Sequence, residues 1–285
     1  MQDKCDKACD RCDARGSCTA EVKRMTRIRR KMLVGSGKGG VGKSTVAAYL
    51  AIWLAKRGYT VGLLDADITG PNIPKLLGIE EERLTVGPDG IHPATVGNIK
   101  VVSMALILPT SGTSVVWRGP MKMAAIKQFI SAVCWGDLDY LIVDLPPGTS
   151  DEPISLVQLI PDLDGVVVVT TPQDVAILDT KKSIDMFRKM NVRIIGMVEN
   201  MSGLVCPHCG KMIDAFGSGN GEVSARDMSV KFLGSVPVDP ELSMLYRYLD
   251  GTEMHSPGFG SMDLIASKIV RALDPDESES PLQRG

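Results

Sequence analysis

Short, uninterrupted apolar runs alternate along most of the chain with longer stretches whose apolar positions recur every three or four residues. The runs 141–143 and 166–169 contain only Leu, Ile and Val, which is typical of strands buried on both faces of a sheet. The longer stretches have the period of helices. Together these patterns predict strands at about 31–36, 60–64, 141–144, 166–172, 192–198 and 234–238, and helices at about 43–57, 73–77, 115–134, 174–190, 240–249 and 259–273.

The alternation of strands and helices predicts an α/β fold. We expect a mostly parallel sheet of seven to eight strands with helices on both faces. Glycine-containing turns divide residues 83–104 into two or three further short strands. The predicted domain spans 31–273, preceded by a Cys-rich arm and basic lead-in at 1–30. A Ser-, Pro- and acid-rich tail at 274–285 is expected to be disordered.

A glycine-rich stretch between the first strand and the first helix has the pattern of a phosphate-binding loop, Gly37-x4-Gly42-Lys43-Ser44. Glycines let the backbone approach a phosphate, and the following helix adds its positive end. Lys43 is expected to reach the β- and γ-phosphates of ATP, and Ser44 to bind Mg²⁺. A glycine-rich turn without a ligand is the alternative. The predicted nucleotide-binding residues of this loop are Gly37, Lys38, Gly39, Gly40, Val41, Gly42, Lys43, Ser44 and Thr45.

Acidic residues follow two of the predicted strands at the edge where open α/β sheets bind ligands. Asp144 occupies the Walker B position and is expected to hold Mg²⁺ through water or through Ser44. Asp67 is expected to position or deprotonate the attacking water, with Asp65 in the same network. A Mg²⁺-linked role and a helix N-cap are the alternatives for Asp67. The N–H of Gly148, in the turn after Asp144, is a candidate sensor of the γ-phosphate.

Four of the seven cysteines lie within residues 1–20, a segment too polar to form a core. The spacing Cys5-x3-Cys9-x2-Cys12-x5-Cys18 suits one four-coordinate metal ion or a [4Fe–4S] cluster. Zinc and an unliganded flexible tail are the alternatives. Metal binding would order a segment that has no other reason to fold.

Two further cysteines form the pair Cys206-x2-Cys209, in a loop predicted at 201–221. A Cys-x2-Cys turn brings two sulfurs to one metal, but two thiolates do not complete a tetrahedral site. His208 lies inside the turn and is expected to point away. A symmetric dimer would supply four thiolates, whereas a redox dithiol is the alternative. The seventh cysteine, Cys134, ends an apolar helix and is expected to lie in the core.

Composition and charge narrow the functional classes. The chain has 285 residues, 44% of them hydrophobic and 23% charged, which is ordinary for a globular protein and needs no disulfides. A net charge of −2 argues against nucleic acid, and the basic residues at 22–31 lack interleaved aromatics. No apolar run approaches the length of a membrane span, and no secretory signal is visible. We therefore expect a cytoplasmic protein that binds neither membrane nor nucleic acid.

These motifs, taken in order, resemble the Mrp/ApbC family of iron–sulfur cluster carrier ATPases, including the cytosolic nucleotide-binding-protein scaffolds. The loop resembles the deviant Walker A motif of the MinD, Mrp and nitrogenase-iron-protein class of P-loop NTPases. The resemblance covers about residues 30–272. It rests on the segments 36–45, 65–71, 117–121, 144–151 and 199–202, followed by the cysteine pair.

The resemblance implies roles that the spacing does not show. Lys38 would cross a dimer interface to the partner's nucleotide, and with Lys43 and Asp67 it completes the expected catalytic set. Asn200 would face the adenine ring, with Pro237 and Asp239 nearby. The N-terminal cysteines look like the four-cysteine extension of the eukaryotic-type scaffolds, except that Cys5 lies much closer to its neighbour than in that subfamily.

The resulting hypothesis is a homodimeric ATPase that assembles a [4Fe–4S] cluster and delivers it to apo-proteins. ATP and Mg²⁺ are the other expected ligands, and a related ATPase or cluster-assembly protein is a further candidate partner. The pair Cys206 and Cys209 from both chains would bridge one cluster, and the N-terminal arm would hold another. The alternatives are a positioning ATPase of the MinD/ParA type and a zinc-stabilised regulatory NTPase.

Overall fold

The computed structural model describes residue 25 and residues 27–107, 119–206, 208–214 and 216–275. The strands are β1 (Ile28–Ser36), β2 (Val61–Asp65), β3 (Thr85–Gly87), β4 (Gly90–His92), β5 (Ala94–Val96), β6 (Ile99–Ser103), β7 (Leu138–Asp144), β8 (Gly165–Thr170), β9 (Ile194–Val205), β10 (Met212–Ile213) and β11 (Phe232–Val238). The α-helices are α1 (Lys43–Ala55), α2 (Ile73–Leu77), α3 (Gly119–Ala132), α4 (Asp151–Leu159), α5 (Asp174–Lys189), α6 (Asn220–Asp227), α7 (Leu245–Leu249) and α8 (Pro257–Leu273). Short 3₁₀ helices cover Met104–Leu106 and Pro240–Ser243.

The central sheet is mostly parallel, as predicted. Its strands follow the order β10-β9-β8-β1-β7-β2-β6-β5, and β11 pairs with β9. Strands β5 and β10 are antiparallel to their neighbours, and β3 and β4 form a separate hairpin. Because β1, β2 and β7 are parallel neighbours, Ser36, Asp65 and Asp144 all end their strands at one edge of the sheet.

Helices cover both faces of the sheet, and each face has its own apolar core. Side chains of α1, α2, α7 and α8 form one core with the sheet, whereas side chains of α3, α4, α5 and α6 form the other. The six residues of β8 are all buried because both faces of that strand are covered. This agrees with the uninterrupted β-branched run in the sequence.

Helix α1 is buried on every side, although its sequence suggested an amphipathic helix. All residues from Val46 to Leu54 are buried. The helix lies between the sheet and α8, and side chains such as Phe259 and Met262 of α8 belong to the same core cluster. A helix that is packed on two sides has no solvent-facing stripe to keep polar.

Several predicted elements differ from those observed. Within the described ranges the main sheet has nine strands rather than seven to eight, because two- and three-residue edge strands carry too little pattern to be predicted. The loop predicted at 201–221 begins with the end of β9 and reaches the start of α6. Helix α4 directly follows the turn after Asp144, and the predicted helix 240–249 is divided at Met244. The start of the helix predicted from 115 lies partly outside the described residues.

Residues just outside both predicted domain boundaries pack against the domain. Strand β1 begins at Ile28, so the lead-in predicted to end at residue 30 contributes to the sheet. Asp274, predicted as the first residue of the tail, is buried and accepts a hydrogen bond of 2.6 Å from Arg30. The Arg30 guanidinium also donates to Asp164 at 2.9 Å, and the Tyr140 hydroxyl donates to Asp274 at 2.7 Å. These buried and part-buried contacts fasten the end of α8 to β1.

Candidate nucleotide and metal site

The predicted phosphate-binding loop lies between the end of β1 and the start of α1, at the edge where the acidic strands end. A cavity of about 400 Å³ opens along the loop, which is a size typical of small-molecule sites. Its lining residues are Ser36, Lys38, Gly39, Gly40, Val41, Gly42, Lys43, Ser44, Thr45, Asp67, Asn72, Lys75, Leu76, Pro147, Met201 and Ser243.

The start of α1 is open toward this cavity. In the described part of the chain, no side chain caps the helix N-terminus and no acidic residue lies in its first turn. Gly42, the N-cap residue, has φ of 82°, and a Cβ there would lie 2.1 Å from the Asn200 amide nitrogen. Only glycine satisfies both constraints. The loop therefore offers backbone N–H groups and a helix dipole to an anion.

Lys43, Ser44 and Asp144 form a tight cluster at the base of the loop. The Lys43 ammonium lies 2.6 Å from one Asp144 carboxylate oxygen, and the Ser44 hydroxyl donates to the other at 2.5 Å. Asp144 is fully buried and Lys43 is 6% exposed. A hydroxyl beside a carboxylate is an oxygen donor set of the kind that Mg²⁺ prefers. The residues predicted for the metal are thus brought together.

Asp65 and Asp67 lie beside this cluster at different depths. Asp65 is fully buried and accepts hydrogen bonds from the Ser103 hydroxyl at 3.0 Å and from the Ile73 N–H at 3.3 Å. Burial, reinforced by the nearby Asp144 carboxylate, raises the pKa of Asp65 to about 8. Asp67 is half-buried and lines the cavity. Asp67 rather than Asp65 is therefore positioned to contact a ligand in the cavity.

Ser103 is a residue that sequence analysis missed. It ends β6, which pairs with β2 so that Ser103 lies opposite Asp65. Its hydroxyl helps to satisfy the buried carboxylate, because an unpaired buried acid is costly. A polar residue at the end of a strand next to β2 was the available signal.

Lys38 lies near the start of the loop and lines the main cavity and a smaller one of about 100 Å³. The smaller cavity is also lined by Thr171, Gln173, Met201 and Phe216, among others. The Thr171 hydroxyl is buried and has no hydrogen-bond partner among the described residues. Lys38 therefore lies between the nucleotide cavity and the segment that follows the cysteine pair.

Three residues predicted near the adenine ring do not line the cavity within the described residues. The Asn200 amide instead donates to the Val41 carbonyl at 2.9 Å. Pro237 is buried in β11. The Asp239 carboxylate caps two helices, since it accepts from the Glu241 N–H at 3.0 Å and the Gly258 N–H at 2.9 Å. The Gly148 N–H is likewise engaged, because it donates to the Ser36 carbonyl at 2.9 Å.

Cys206 and Cys209 lie at the tip of a hairpin formed by the end of β9 and β10. Val205 pairs with Met212, and the Gly210 N–H donates to the Cys206 carbonyl at 2.9 Å. Cys206 is half-buried and Cys209 is exposed. The backbone N–H groups of Cys209 and His208 lower the pKa of the Cys206 thiol. Both sulfurs therefore lie on one accessible turn, the arrangement that a metal or cluster requires.

A buried carboxylate at the base of this hairpin was not predicted as a functional group. Glu199 is fully buried and accepts hydrogen bonds from the Ser202 hydroxyl at 2.6 Å and from the N–H groups of Gly219 at 3.1 Å and Gly221 at 2.5 Å. Glu199 thereby fastens the N-terminus of α6 to β9, next to the Asn200 contact with the phosphate-binding loop. It links the two ends of the segment that carries the cysteine pair.

The remaining cysteines lie elsewhere. Cys5, Cys9, Cys12 and Cys18 fall outside the described residues. Cys134, expected in the core, is only half-buried, and its thiol donates to the Asp89 carbonyl at 3.3 Å. The residue follows α3 at its exit from the core, so its side chain meets the β3–β4 hairpin instead of the apolar cluster.

A family model and several known proteins match the sequence of this chain. Residues 27–260 match the ParA-type family model described as NUBPL iron-transfer P-loop NTPase. The iron-sulfur cluster carrier protein of Methanocaldococcus jannaschii is 49% identical over 83% of this chain and 86% of the relative. The cytosolic Fe-S cluster assembly factor CFD1 of Saccharomyces cerevisiae is 48% identical over 90% of each chain.

Two solved structures have folds similar to that of this chain. The nucleotide-binding protein of Archaeoglobus fulgidus in complex with ADP aligns with a TM-score of 0.70 and 37% identity, over 82% of this chain and 93% of that one. The cell division ATPase MinD of Pyrococcus furiosus aligns with a TM-score of 0.64 and 23% identity, over 85% and 99%. The second likeness concerns the fold alone.

Across the described segments, no helix combines the length and the apolar character that crossing a membrane requires.

Proposed function

Because the chain belongs to the family of NUBPL iron-transfer P-loop NTPases, we propose that it is an ATP-hydrolysing carrier that assembles a [4Fe–4S] cluster and transfers it to apo-proteins. Relatives are named iron-sulfur cluster carrier protein or cytosolic Fe-S cluster assembly factor, so we propose the cytoplasm as its compartment. The observation that carries the proposal is strand β9, which runs from the phosphate-binding loop to the cysteine pair.

The phosphate-binding loop supports the binding of ATP. Backbone N–H groups at the start of α1 receive the phosphates, and Lys43 contacts the β- and γ-phosphates. Ser44 and Asp144 are the residues that would hold Mg²⁺, since hydroxyl and carboxylate oxygen meet at 2.5 Å. When bound, Mg²⁺ neutralises charge on the β- and γ-phosphate oxygens. Asp67 lines the cavity and orients the attacking water.

Lys38 completes this set from a second protomer. Within its own chain Lys38 lines the nucleotide cavity, and in the dimer it reaches the nucleotide of the partner protomer. A cation at that point stabilises the charge that develops on the γ-phosphate. Hydrolysis then depends on how the two protomers meet, which ties the state of the nucleotide to dimer geometry.

The cluster is the cargo of this reaction. Cys206 and Cys209 present two thiolates per chain, and two chains related by a two-fold axis present four. The pair lies at a hairpin tip from which a cluster is accessible to an acceptor protein. The N-terminal cysteines, which lie outside the described residues, are proposed to hold a second cluster.

Exposed apolar side chains support the dimer. Soluble proteins seldom group large apolar residues at the surface without a partner. Six exposed apolar residues belong to β10, to the segment that follows it and to the nearby helices α5 and α6: Val175, Leu178, Met212, Ile213, Phe216 and Val223. Their burial between protomers would bring the two hairpins together.

Strand β9 supplies the link between nucleotide and cluster. Asn200 contacts Val41 of the phosphate-binding loop at 2.9 Å, and Cys206 follows six residues later, beyond a β-bulge that contains the left-handed residues Met201 and Gly203. A shift of the loop on hydrolysis therefore moves the base of the hairpin. ATP and ADP then favour different exposures of the cluster, a population shift between two states.

Cluster transfer is the direct test. The full chain is reconstituted anaerobically with iron and sulfide and mixed with the apo form of a [4Fe–4S] dehydratase, whose recovered activity reports transfer. We expect recovery with the wild-type chain and little with Cys206→Ala/Cys209→Ala. Cys134→Ala is the matched control, since it removes a cysteine outside both clusters. Transfer that survives unchanged in the double variant would contradict the proposal.

A further inference from the structure

Cys134 has no place in either cysteine cluster, yet its thiol meets two other metal-binding side chains. Asp89 lies in the turn between β3 and β4, His92 ends β4, and Cys134 follows α3. The two segments are held in register by backbone contacts: the Cys134 N–H donates to the Ile91 carbonyl at 2.8 Å, and Ile91 bridges to Val133. A carboxylate, an imidazole and a thiol thus converge from positions more than forty residues apart.

Their separations suit a single metal ion. The His92 Nε2 atom lies 3.0 Å from Asp89 Oδ1, and the Cys134 Sγ atom lies 3.8 Å from Asp89 Oδ2. One ligand atom from each of the three side chains lies within 4.8 Å of the others. Bonds of about 2.0–2.3 Å in a tetrahedral zinc site place ligand atoms roughly 3.3–3.8 Å apart. Small side-chain rotations therefore bring all three into coordination.

Gly87 leaves room for this convergence. A Cβ at Gly87 would lie 2.8 Å from Asp89 Oδ1 and 3.3 Å from His92 Nε2. The φ of Gly87 is outside the left-handed region, so the backbone itself does not demand glycine. The absent side chain clears the point where the carboxylate and the imidazole meet. Gly87→Ala is consequently a variant that disturbs the site without removing a ligand.

We propose that Asp89, His92 and Cys134 form a zinc site. Carboxylate, neutral imidazole and thiolate are the three ligand types that zinc accepts in proteins, and their combined charge of −2 matches the ion. The side chains of Asp89 and His92 are 63% and 43% exposed, so water has access to the fourth tetrahedral position. The ion would join the β3–β4 hairpin to the end of α3. The inference does not depend on the proposed carrier function.

The test uses Co²⁺ as a spectroscopic probe on the full chain. Cys134 is made the sole thiol by replacing the other six cysteines with serine, and Co²⁺ is titrated under anaerobic conditions. We expect a thiolate-to-cobalt charge-transfer band in the near ultraviolet that saturates at a single equivalent and is removed by Zn²⁺. His92→Ala and Asp89→Ala should each weaken binding by at least about tenfold, since even indirect supports of a metal have effects of that order.

His255→Ala is the matched control. His255 is also an exposed histidine beside a carboxylate, with its Nε2 3.2 Å from Glu253, and no cysteine takes part in that pair. Its removal should leave the cobalt spectrum unchanged. Absence of the charge-transfer band in a folded chain, or a band that is indifferent to His92→Ala and Asp89→Ala, would overturn the proposal.

A second measurement keeps the proposal testable if the serine-substituted chain does not fold. In the wild-type chain, the rate at which iodoacetamide alkylates Cys134 is followed by mass spectrometry of its peptide. Added Zn²⁺ should slow alkylation, and Gly87→Ala or His92→Ala should abolish that protection. Equal rates with and without Zn²⁺ in the wild-type chain would overturn the assignment.

Discussion

Lys43 makes its main contact with Asp144. The two side chains are buried and 2.6 Å apart, and Ser44 completes the group. The Lys43 ammonium neutralises a carboxylate that would otherwise be a lone buried charge. In the proposed ATPase, Asp144 and Ser44 would hold Mg²⁺ and Lys43 would contact the phosphates, so the Lys43–Asp144 ion pair would be replaced on binding.

Lys38 is expected to act on catalysis rather than on binding. Lys38 lines the cavity, whereas the loop backbone and Lys43 are the groups proposed to contact the phosphates. Lys38→Ala should lower the rate of ATP hydrolysis on the order of 10²-fold, the loss typical when one charge-stabilising donor is removed. Fluorescent ATP analogue binding should change little. Equal losses in nucleotide binding and in the rate of hydrolysis would mean that Lys38 binds the nucleotide, the role expected of Lys43.

Asp65 is expected to make the ligand-free chain less stable as pH rises. Its folded pKa of about 8 lies above the ordinary aspartate value, so the native state keeps a proton that the unfolded chain releases. The proton on Asp65 thus stabilises the folded chain. This stabilisation is fully present below about pH 4 and is lost as pH rises to about 8, at up to about 1.4 kcal/mol per pH unit. Urea unfolding of wild type and Asp65→Asn between pH 5 and pH 8 measures it.

The pH dependence of the free energy of unfolding shows whether Asp65 is protonated in the folded chain. Asp65→Asn removes the titrating group but keeps acceptors for Ser103 and the Ile73 N–H. The free energy of unfolding of the variant should therefore fall less steeply with pH than that of wild type. Parallel slopes would mean that Asp65 is ionised in the folded chain throughout this range.

The residues of the phosphate-binding loop could be predicted because their chemistry lies in consecutive positions. The partners of Asn200 and Asp239 could not, because those partners are backbone groups far away in the chain. Asn200 meets Val41, and Asp239 meets the N–H of Gly258. A carboxylate or amide in the sequence does not reveal whether it is free for a ligand or already caps a helix.

At the scale of elements, long periodic segments were predictable and short ones were not. Strands β7 and β8 are buried on both faces and their apolar runs are uninterrupted. Strand β10 has two residues, so no alternation exists to recognise. The full burial of α1 depends on α8, more than two hundred residues later in the chain. A local pattern cannot reveal packing by such a distant partner.

Strand β9 and helix α6 form the element pair on which coupling is expected to depend. Glu199 joins them through two backbone N–H groups of α6 and the segment before it. Glu199→Gln replaces one acceptor with a donor that faces the Gly221 N–H. We expect a loss of about 2 kcal/mol in the free energy of unfolding, the scale of a charge-assisted hydrogen bond, measured by urea unfolding.

Glu199→Gln also distinguishes ATP hydrolysis from the transmission of the nucleotide state to the cysteine pair. Glu199→Gln should retain ATP hydrolysis, because Glu199 does not line the nucleotide cavity. The difference that ATP makes to the alkylation rate of Cys206 and Cys209 should shrink. The control is Glu222→Gln, an exposed acid of α6, which should change neither quantity. An unaltered ATP effect in Glu199→Gln would show that the hairpin base does not transmit the nucleotide state.

At the scale of the whole molecule, the proposed bridging cluster requires a second chain. One protomer offers two thiolates at the hairpin, and an iron–sulfur cluster is held by four. The exposed apolar residues around α5 and β10, among them Leu178 and Met212, are available for the contact. The proposed coupling between the nucleotide loop and the cysteine pair therefore depends on dimerisation.

The measurement that tests this most directly is iron and acid-labile sulfide per chain, with a visible spectrum and the mass in solution, after anaerobic purification. We predict a brown dimer. Cys206→Ala/Cys209→Ala should lose about two iron atoms per chain, the share of one bridging [4Fe–4S] cluster, and should dimerise less. A colourless chain that carries stoichiometric zinc and resists iron–sulfur reconstitution would contradict the carrier function and leave a zinc-bound ATPase.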